Sequence, residues 1–387
     1  GGSKVTRHRD TGEILNLVGR ARTAGYRPDL VRPGGLWDGM RDRVLAVATR
    51  GTPPDAPAAV RVRAGLALGL LCYGDLADLS HPQANVAAPD PRLPLAVLQM
   101  PAQQEPWWPT ALEAYWCAVA AGPCWYGDDT PEEEDEDEPD DPAEPPTEDN
   151  PPTSPLQQVT LPYDFSIARF PVTNAEFARF VADGGYTEQR WWTKEGWKQR
   201  TEDNWTEPRL WDAAQFTNPA QPVVGVSWYE AVAYCAWLTA QGHTQGWLPT
   251  TDEIRLPTSL EWERAARHTD QRRYPWGAAE PDAERANYDE TGIGAPSPVG
   301  CFPQGSAECG ALDMAGNVLE WLATPQGKEQ QVEPQKDFTP LDNVLLSGSA
   351  YWREKEYLCC GSRGWSDPDL RNFDGGFRVV QSPRSSK

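Results

Sequence analysis

The sequence predicts an α+β domain preceded by a small all-helical one, and three observations predict it. An acidic, proline-rich stretch, Asp128 to Pro152, divides the 387-residue chain. Before it, apolar residues recur at helical spacing between Pro and Gly breakers. After it, a few helix-start signatures stand among short, β-rich, tryptophan-dense segments, the pattern of an α+β domain with much irregular structure.

In chain order, after a leading Gly-Gly-Ser, the segments "GEILNLVGRARTAG", "LWDGMRDRVLAVATRG", "AAVRVRAGLALGLLCYG" and "ALEAYWCAVAAG" read as helices, giving a helical domain over residues 4–126. Residues 127–154 read as a disordered linker or insert, because a stretch of Asp, Glu and Pro without aromatics cannot bury enough apolar surface to offset the entropy of ordering. Residues 155–382 form the second domain. There Thr173 with Glu176, Ser227 with Glu230, and Thr258 with Glu261 each fit the capping box, in which hydroxyl and carboxylate reciprocally satisfy orphan backbone N–H groups. Gly184 and Gly242 are the expected terminators of the first two helices. The segments "VVGVSW", "VLEWLA", "VLLSGSAYW" and "GFRVV" read as extended.

Composition excludes several functions. The net charge is −22, and the window Asp128–Asp149 carries fourteen acidic residues and no basic one, leaving an unremarkable −8 elsewhere. No cluster of Lys and Arg offers a phosphate-binding face, so no nucleic-acid partner is expected. The longest charge-free apolar run before the linker, from Ala64, falls far short of the ~20 residues a membrane-spanning helix needs. With no export signature, the expectation is a soluble, cytoplasmic chain. The eight cysteines follow no zinc or disulfide spacing and are expected to be reduced and mostly buried. None of the four histidines, His8, His81, His243 and His268, sits in a motif with a nucleophile. His268 reads as a favourable charge at a helix end.

The ordered motifs "FPVTNAEFARFV", "PVVGVSWYEAVAYCAWL", "RLPTSLEWERAAR", "YPWG", "LDMAGNVLEWLA" and "GGFRVV" resemble the formylglycine-generating enzyme, or sulfatase-modifying factor, domain over Leu156 to Gln381. The resemblance implies a C-type lectin fold of that type. It also implies, for catalytic members, oxidation of a sulfatase cysteine with copper(I) held by two thiolates five positions apart, ligands that suit a soft cation. Here Cys360 stands at the second thiolate position and Lys355 at the first, and Cys359 would face away from Cys360 on an extended chain. No copper and no enzyme activity are therefore expected, with the formylglycine-generating oxidase as the alternative.

The family also binds calcium. By resemblance, "ALDMAGNVLEW" would supply Asp313, Gly316, Val318 and Glu320 to a structural calcium, oxygen ligands of the kind that ion takes. A second site would use Asn287 and Tyr288, with Thr291 standing where an acidic ligand belongs.

The C-terminal segment 347–378 is similar to that of the variable proteins of diversity-generating retroelements. "SGSAYW" is followed by Cys360, Arg363, Pro368-Asp369, Arg371 and Gly376-Phe377-Arg378. That likeness implies a ligand-binding surface at Tyr351, Trp352, Arg353, Glu354, Leu358, Gly364, Trp365, Ser366, Asp367, Leu370, Asn372, Phe373 and Asp374, on a scaffold held by Arg363, Pro368, Arg371 and Phe377. The aromatics would supply rigid contact area and the polar residues adaptable hydrogen bonds. The expected partner is a protein or other macromolecular ligand, with a further partner conceivable for the helical domain. The cluster Trp191, Trp192 and Trp197 could line the same pocket or pack beneath it.

Overall fold

A computed structural model describes residues 58–73, 115–127, 155–334, 336–339 and 342–383. Most of the expected helical domain and the acidic linker lie outside these residues. Within them the fold is α+β, with two four-stranded sheets, a two-stranded ribbon and helices packed around them.

Helix α1 (Ala58–Tyr73) docks through its smallest residues. A Cβ on Gly65 would sit 2.8 Å from Cys301 Sγ, and one on Gly69 2.3 Å from Asn218 Oδ1. Arg61 is buried beside them, donating from Nε to the Cys301 carbonyl (3.1 Å) and pairing with Glu284 (2.7 Å).

In the segment expected to be the last N-terminal helix, the described residues from Trp116 onward form β-structure. Strand β1 (Trp116–Val119) pairs antiparallel with β4 (Phe165–Ala168), and β2 (Gly122–Tyr126) pairs with β3 (Gln157–Leu161). Cys117 and Val119 turn inward and Ala118 outward, a period of two that β4 exploits by offering an edge. Residues 116–126, expected in the helical domain, thus belong to the sheets of the second domain.

The first sheet runs β1–β4–β10–β5, with β10 (Val380–Pro383) between β4 and β5 (Asp252–Arg255). The other runs β8–β7–β6–β9. Its members are β6 (Leu319–Pro325), β7 (Val344–Ser347), β8 (Arg363–Ser366) and the short β9 (Gly375–Gly376), which lies parallel to β6. "VVGVSW" is buried but forms no strand.

The three capping boxes open α2 (Asn174–Ala182), α4 (Trp228–Gln245) and α5 (Ser259–Arg267), with both reciprocal bonds present in each. Helix α3 (Lys194–Glu202) has Thr193 at its N-cap. Two expected helix ends differ. Helix α4 runs through Gly242 to a left-handed Gly246, and Gly242 is there because a Cβ would meet Leu248 and Trp247 at 2.7 Å. His268 ends α5 with a positive φ, but burial and the neighbouring Arg264 and Arg272 push its imidazole below its ordinary pKa, so it is not a charge serving the helix end.

An aromatic core joins α2 and α4 to the C-terminal strand. Phe177 stacks on Tyr234 at 5.5 Å, and Phe377 meets Tyr234 edge-on at 5.5 Å. Beneath it lies a buried ion pair: Arg378 donates from Nε and Nη2 to both oxygens of Glu320, each at 2.6 Å. The remaining guanidinium protons reach the carbonyls of Ala168 (3.1 Å) and Leu312 (3.0 Å), and Trp262 Nε1 donates to Glu320 at 2.7 Å.

Removing one partner of such a pair leaves a buried charge uncompensated. Arg378→Met is expected to destabilise the protein by about 3–5 kcal/mol, read from the urea midpoint, and the double variant Arg378→Met/Glu320→Leu to recover part of that loss.

Candidate functional site

Segment 347–378 leaves β7 at Ser347 and passes through left-handed Gly348, where a Cβ would lie 3.3 Å from the Trp262 ring. It makes a helical turn at Lys355–Leu358, returns as β8 antiparallel to β7, and closes as β9 beside β6. Two anchors fix the return. Arg371 donates from Nε and Nη2 to the two oxygens of Glu230, both at 2.9 Å, and Glu230 is the capping-box carboxylate of α4. The carbonyls of Pro368 and Asn372 accept from Trp228 (3.0 Å) and Gly225 (2.8 Å).

Between these anchors the segment encloses a cavity of about 300 Å³ against β6 and β7. Trp352, Arg353, Gly364, Trp365 and Ser366 line it, together with Leu370, Asn372, Phe373 and Asp374. Four expected positions do not. Tyr351 is buried against Phe216, Val224 and Val318, its N–H bonded to Asn317, so the turn after Gly348 points it into the core. Leu358 is fully buried beside Tyr274 and Cys359, because the helical turn directs it inward. Glu354 and Asp367 are exposed away from the cavity.

At one corner Trp352 Nε1 donates to Asp374 Oδ2 at 2.9 Å. Asp374 is 5% exposed, and burial pushes its carboxyl above the ordinary range against the pull of the Trp352 bond. The Arg353 guanidinium lies over the Trp352 ring at 4.5 Å and over Tyr357 at 5.3 Å. Phe373 leans on Trp352, with centroids 6.1 Å apart. Trp352, Phe373 and Tyr357, 38–44% exposed, are the large exposed hydrophobic residues among the described ones, and all three border this cavity. Sequence reasoning missed Tyr357; its place between Trp352 and Cys359 in an aromatic loop was the available signal. Trp192 is buried and bonded to the Gly185 carbonyl (2.8 Å), and Trp197 packs against it, so that tryptophan cluster lies under the core and not on the pocket.

The two adjacent cysteines face different interiors. Cys359 packs with Tyr274, Ala286 and Tyr288, whereas Cys360 joins the cluster around Trp262 and Leu260. Cys359 has extended dihedrals, which splays the neighbouring side chains, and Lys355 is exposed on the preceding turn. These thiols cannot clamp one copper ion.

The calcium sets do not fit either. Both Glu320 oxygens serve Arg378 and Trp262 in the core, and Asp313 Oδ2 accepts from Gly300 N–H (2.8 Å). Burial raises the Asp313 carboxyl to about 6, against the pull of the Gly300 N–H bond and the Arg378 charge. Gly316 and Val318 sit in a turn pressed on the backbone of Asn287, whose carbonyl accepts from Asn317 N–H (2.7 Å). The Tyr288 carbonyl accepts from Thr291 Oγ1 (2.6 Å). Protein donors thus knit together the loops that calcium would otherwise join.

The fold and these motifs define the class. Residues 112–383 match the sulfatase-modifying factor enzyme 1-like domain, and the chain belongs to that family, with its α+β lectin-type fold. More particularly, the chain is 34% identical over 245 residues to the hercynine oxygenase of Mycolicibacterium thermoresistibile, covering 56% of this chain and 50% of that protein. It is 27% identical over 260 residues to the formylglycine-generating enzyme of Bos taurus, covering 56% of this chain and 65% of that one. Treponema denticola variable protein 1 has a similar structure, at 19% identity and a TM-score of 0.45, covering 69% of this chain and 95% of that one. The chain spans about half the length of the hercynine oxygenase it matches.

These relatives overturn the expectation of a non-enzyme. The missing thiolate at Lys355 excludes one way of holding copper, but a domain of this family also forms half of an oxygenase, so the absence decides one chemistry and not catalysis as such.

The carboxylates of the expected calcium loops are satisfied by protein donors. The melting temperature is therefore expected to be the same in EDTA as in millimolar calcium, measured by scanning calorimetry.

Proposed function

We propose that this domain is the substrate-binding part of an oxygenase-type enzyme and that its C-terminal cavity takes a small organic cation. One observation carries the reading: a buried carboxylate, Asp374, shares a corner with the exposed ring faces of Trp352 and Phe373, a pairing of charge and aromatic quadrupole that favours an alkylated ammonium group. Arg353 now lies on the Trp352 face that such a cation would use. Hercynine, named for the relative, is the first compound to test. Among the described residues no cluster of three or more His, Cys, Asp or Glu is placed to hold a metal, so the part assigned to these residues is binding and orientation.

A second reading rests on the exposed rim of Trp352, Tyr357 and Phe373. Contiguous exposed aromatics mark docking surfaces, and a ligand-binding surface diversified by a retroelement would use the same residues for a macromolecular ligand.

Calorimetric titration of the full chain with hercynine tests the first reading. Asp374→Asn is expected to weaken binding at least about tenfold, the scale of a lost charge-assisted contact. Arg353→Ala is expected to tighten it, since a competing cation is removed. The ionised carboxylate is the binding form and its pKa is raised, so affinity should climb with pH through a window above the ordinary carboxylate range, and Asp374→Asn should flatten that climb. No binding of hercynine or of simple quaternary ammonium compounds, or binding indifferent to Asp374→Asn with the fold intact by circular dichroism, would sink the proposal.

A further inference from the structure

Outside the cavity, the described residues include a pair of thiols that the proposed binding site does not use. Cys117 lies on β1, the edge strand of its sheet, and Cys309 on the loop before β6, 192 positions away in sequence. They lie close enough for each to act on the other's acidity. Both belong to one apolar cluster, in which Cys117 is 2% exposed and Cys309 is partly open to solvent. Cys309 Sγ also sits 3.4 Å from the Ala265 carbonyl. The following Gly310 has φ +95, and a Cβ there would lie 3.6 Å from Cys117 Sγ, so the loop passes directly over the buried thiol. Arg169 pins that loop, donating to the Gly310 carbonyl at 2.9 Å, and accepts at its own carbonyl from Leu312 N–H (2.8 Å).

From this geometry we infer that Cys117 and Cys309 form a two-cysteine redox site, in which Cys309 is the thiol attacked by a small peroxide and Cys117 the thiol that resolves it to a disulfide. Exposure assigns the roles: Cys309 is partly open to solvent and Cys117 is 2% exposed. The direction of the electrostatics agrees, since Cys117, the Ala311 N–H and the Arg378 charge pull the Cys309 thiol below its ordinary value against burial. Cys117 is pushed up, first by Cys309 and then by burial. Three other buried thiols are poor competitors: burial pushes Cys124, Cys235 and Cys301 up.

The steps balance. The Cys309 thiolate attacks one oxygen of hydrogen peroxide, the O–O bond breaks, and the departing hydroxide is protonated to water, leaving a sulfenic acid on Cys309. The Cys309 thiolate no longer acts on Cys117, so one cause of its raised pKa is removed. The Cys117 sulfur, losing its proton, then displaces the sulfenic oxygen, which leaves as a second water as the S–S bond forms. Two thiols give up two electrons and two protons, and one peroxide accepts them. The disulfide would staple the edge strand to the loop that leads, through Leu312 and Asp313, to Arg378 and β6.

The test treats the full chain with stoichiometric hydrogen peroxide and maps thiols by differential alkylation and peptide mass spectrometry. The expected result is a Cys117–Cys309 disulfide formed ahead of change at any other cysteine, reversed by dithiothreitol. In Cys117→Ser, dimedone should trap a sulfenic acid on Cys309; in Cys309→Ser, Cys117 should stay a thiol. Should one variant fail to fold, the wild-type map decides alone. Oxidation at another pair first, or over-oxidation of Cys309 while Cys117 remains alkylatable, would overturn the inference. Neither outcome touches the Asp374 cavity, whose hercynine titration stands apart.

Discussion

The arrangement depends first on the buried pair Glu320–Arg378. A guanidinium inside a protein is tolerable only when its charge is met and its donors are filled, and here both carboxylate oxygens and backbone carbonyls from two other segments do so. The consequence is geometric. Arg378 lies four residues beyond Asp374, and Glu320 is the second residue of β6, so the pair holds the end of the aromatic segment against the strand that floors the cavity. The parallel pairing of Gly375–Gly376 with Leu319–Glu320 and the bond from Leu319 N–H to the Asp374 carbonyl (2.8 Å) follow from that clamp.

The capping glutamates extend the same logic. Each satisfies the start of its helix and then takes a second partner from outside it. Glu176 accepts from Tyr115 Oη (3.2 Å), Glu230 receives Arg371, and Glu261 receives the Arg255 fork at 2.7 Å on both oxygens. A carboxylate already fixed by backbone N–H groups has little side-chain entropy left to lose, so it makes a pre-ordered socket for a long arginine. Helix starts thereby become docking points for β1, β5 and the C-terminal segment.

This explains what was legible in the sequence. The three capping boxes are local patterns, and their helices begin where Thr173, Ser227 and Thr258 stand. The second partners, Tyr115 for Glu176, Arg371 for Glu230 and Arg255 for Glu261, are tertiary choices that the capping pattern does not reveal. The same holds for Trp116–Val119, whose apolar residues suit a helix until the β4 edge is present to pair with them. Gly242 reads locally as a helix end, because its packing against Trp247 and Leu248 is a contact that helical spacing does not reveal. Of the aromatic segment, the resemblance places Trp352, Trp365 and Phe373 at a binding surface, where they line the cavity, whereas the inward turn of Tyr351 depends on left-handed Gly348 and on the Asn317 carbonyl. The contact of Cys117 with Cys309 spans the whole domain and left no trace in spacing.

The segment that carries the cavity is therefore rigid at its ends and open in its middle. Arg371 and Arg378 hold one side through Glu230 and Glu320, β8 is laced to β7, and the stretch from Trp352 to Tyr357 presents aromatic faces to solvent. Such a division lets side chains at the rim change without moving the frame, since none of the frame's charged bonds involves them. It also separates binding from chemistry. Lys355 stands on the exposed turn, outside the cavity walls and outside the clamp, so the residue that departs from the copper pattern leaves the pocket's frame in place.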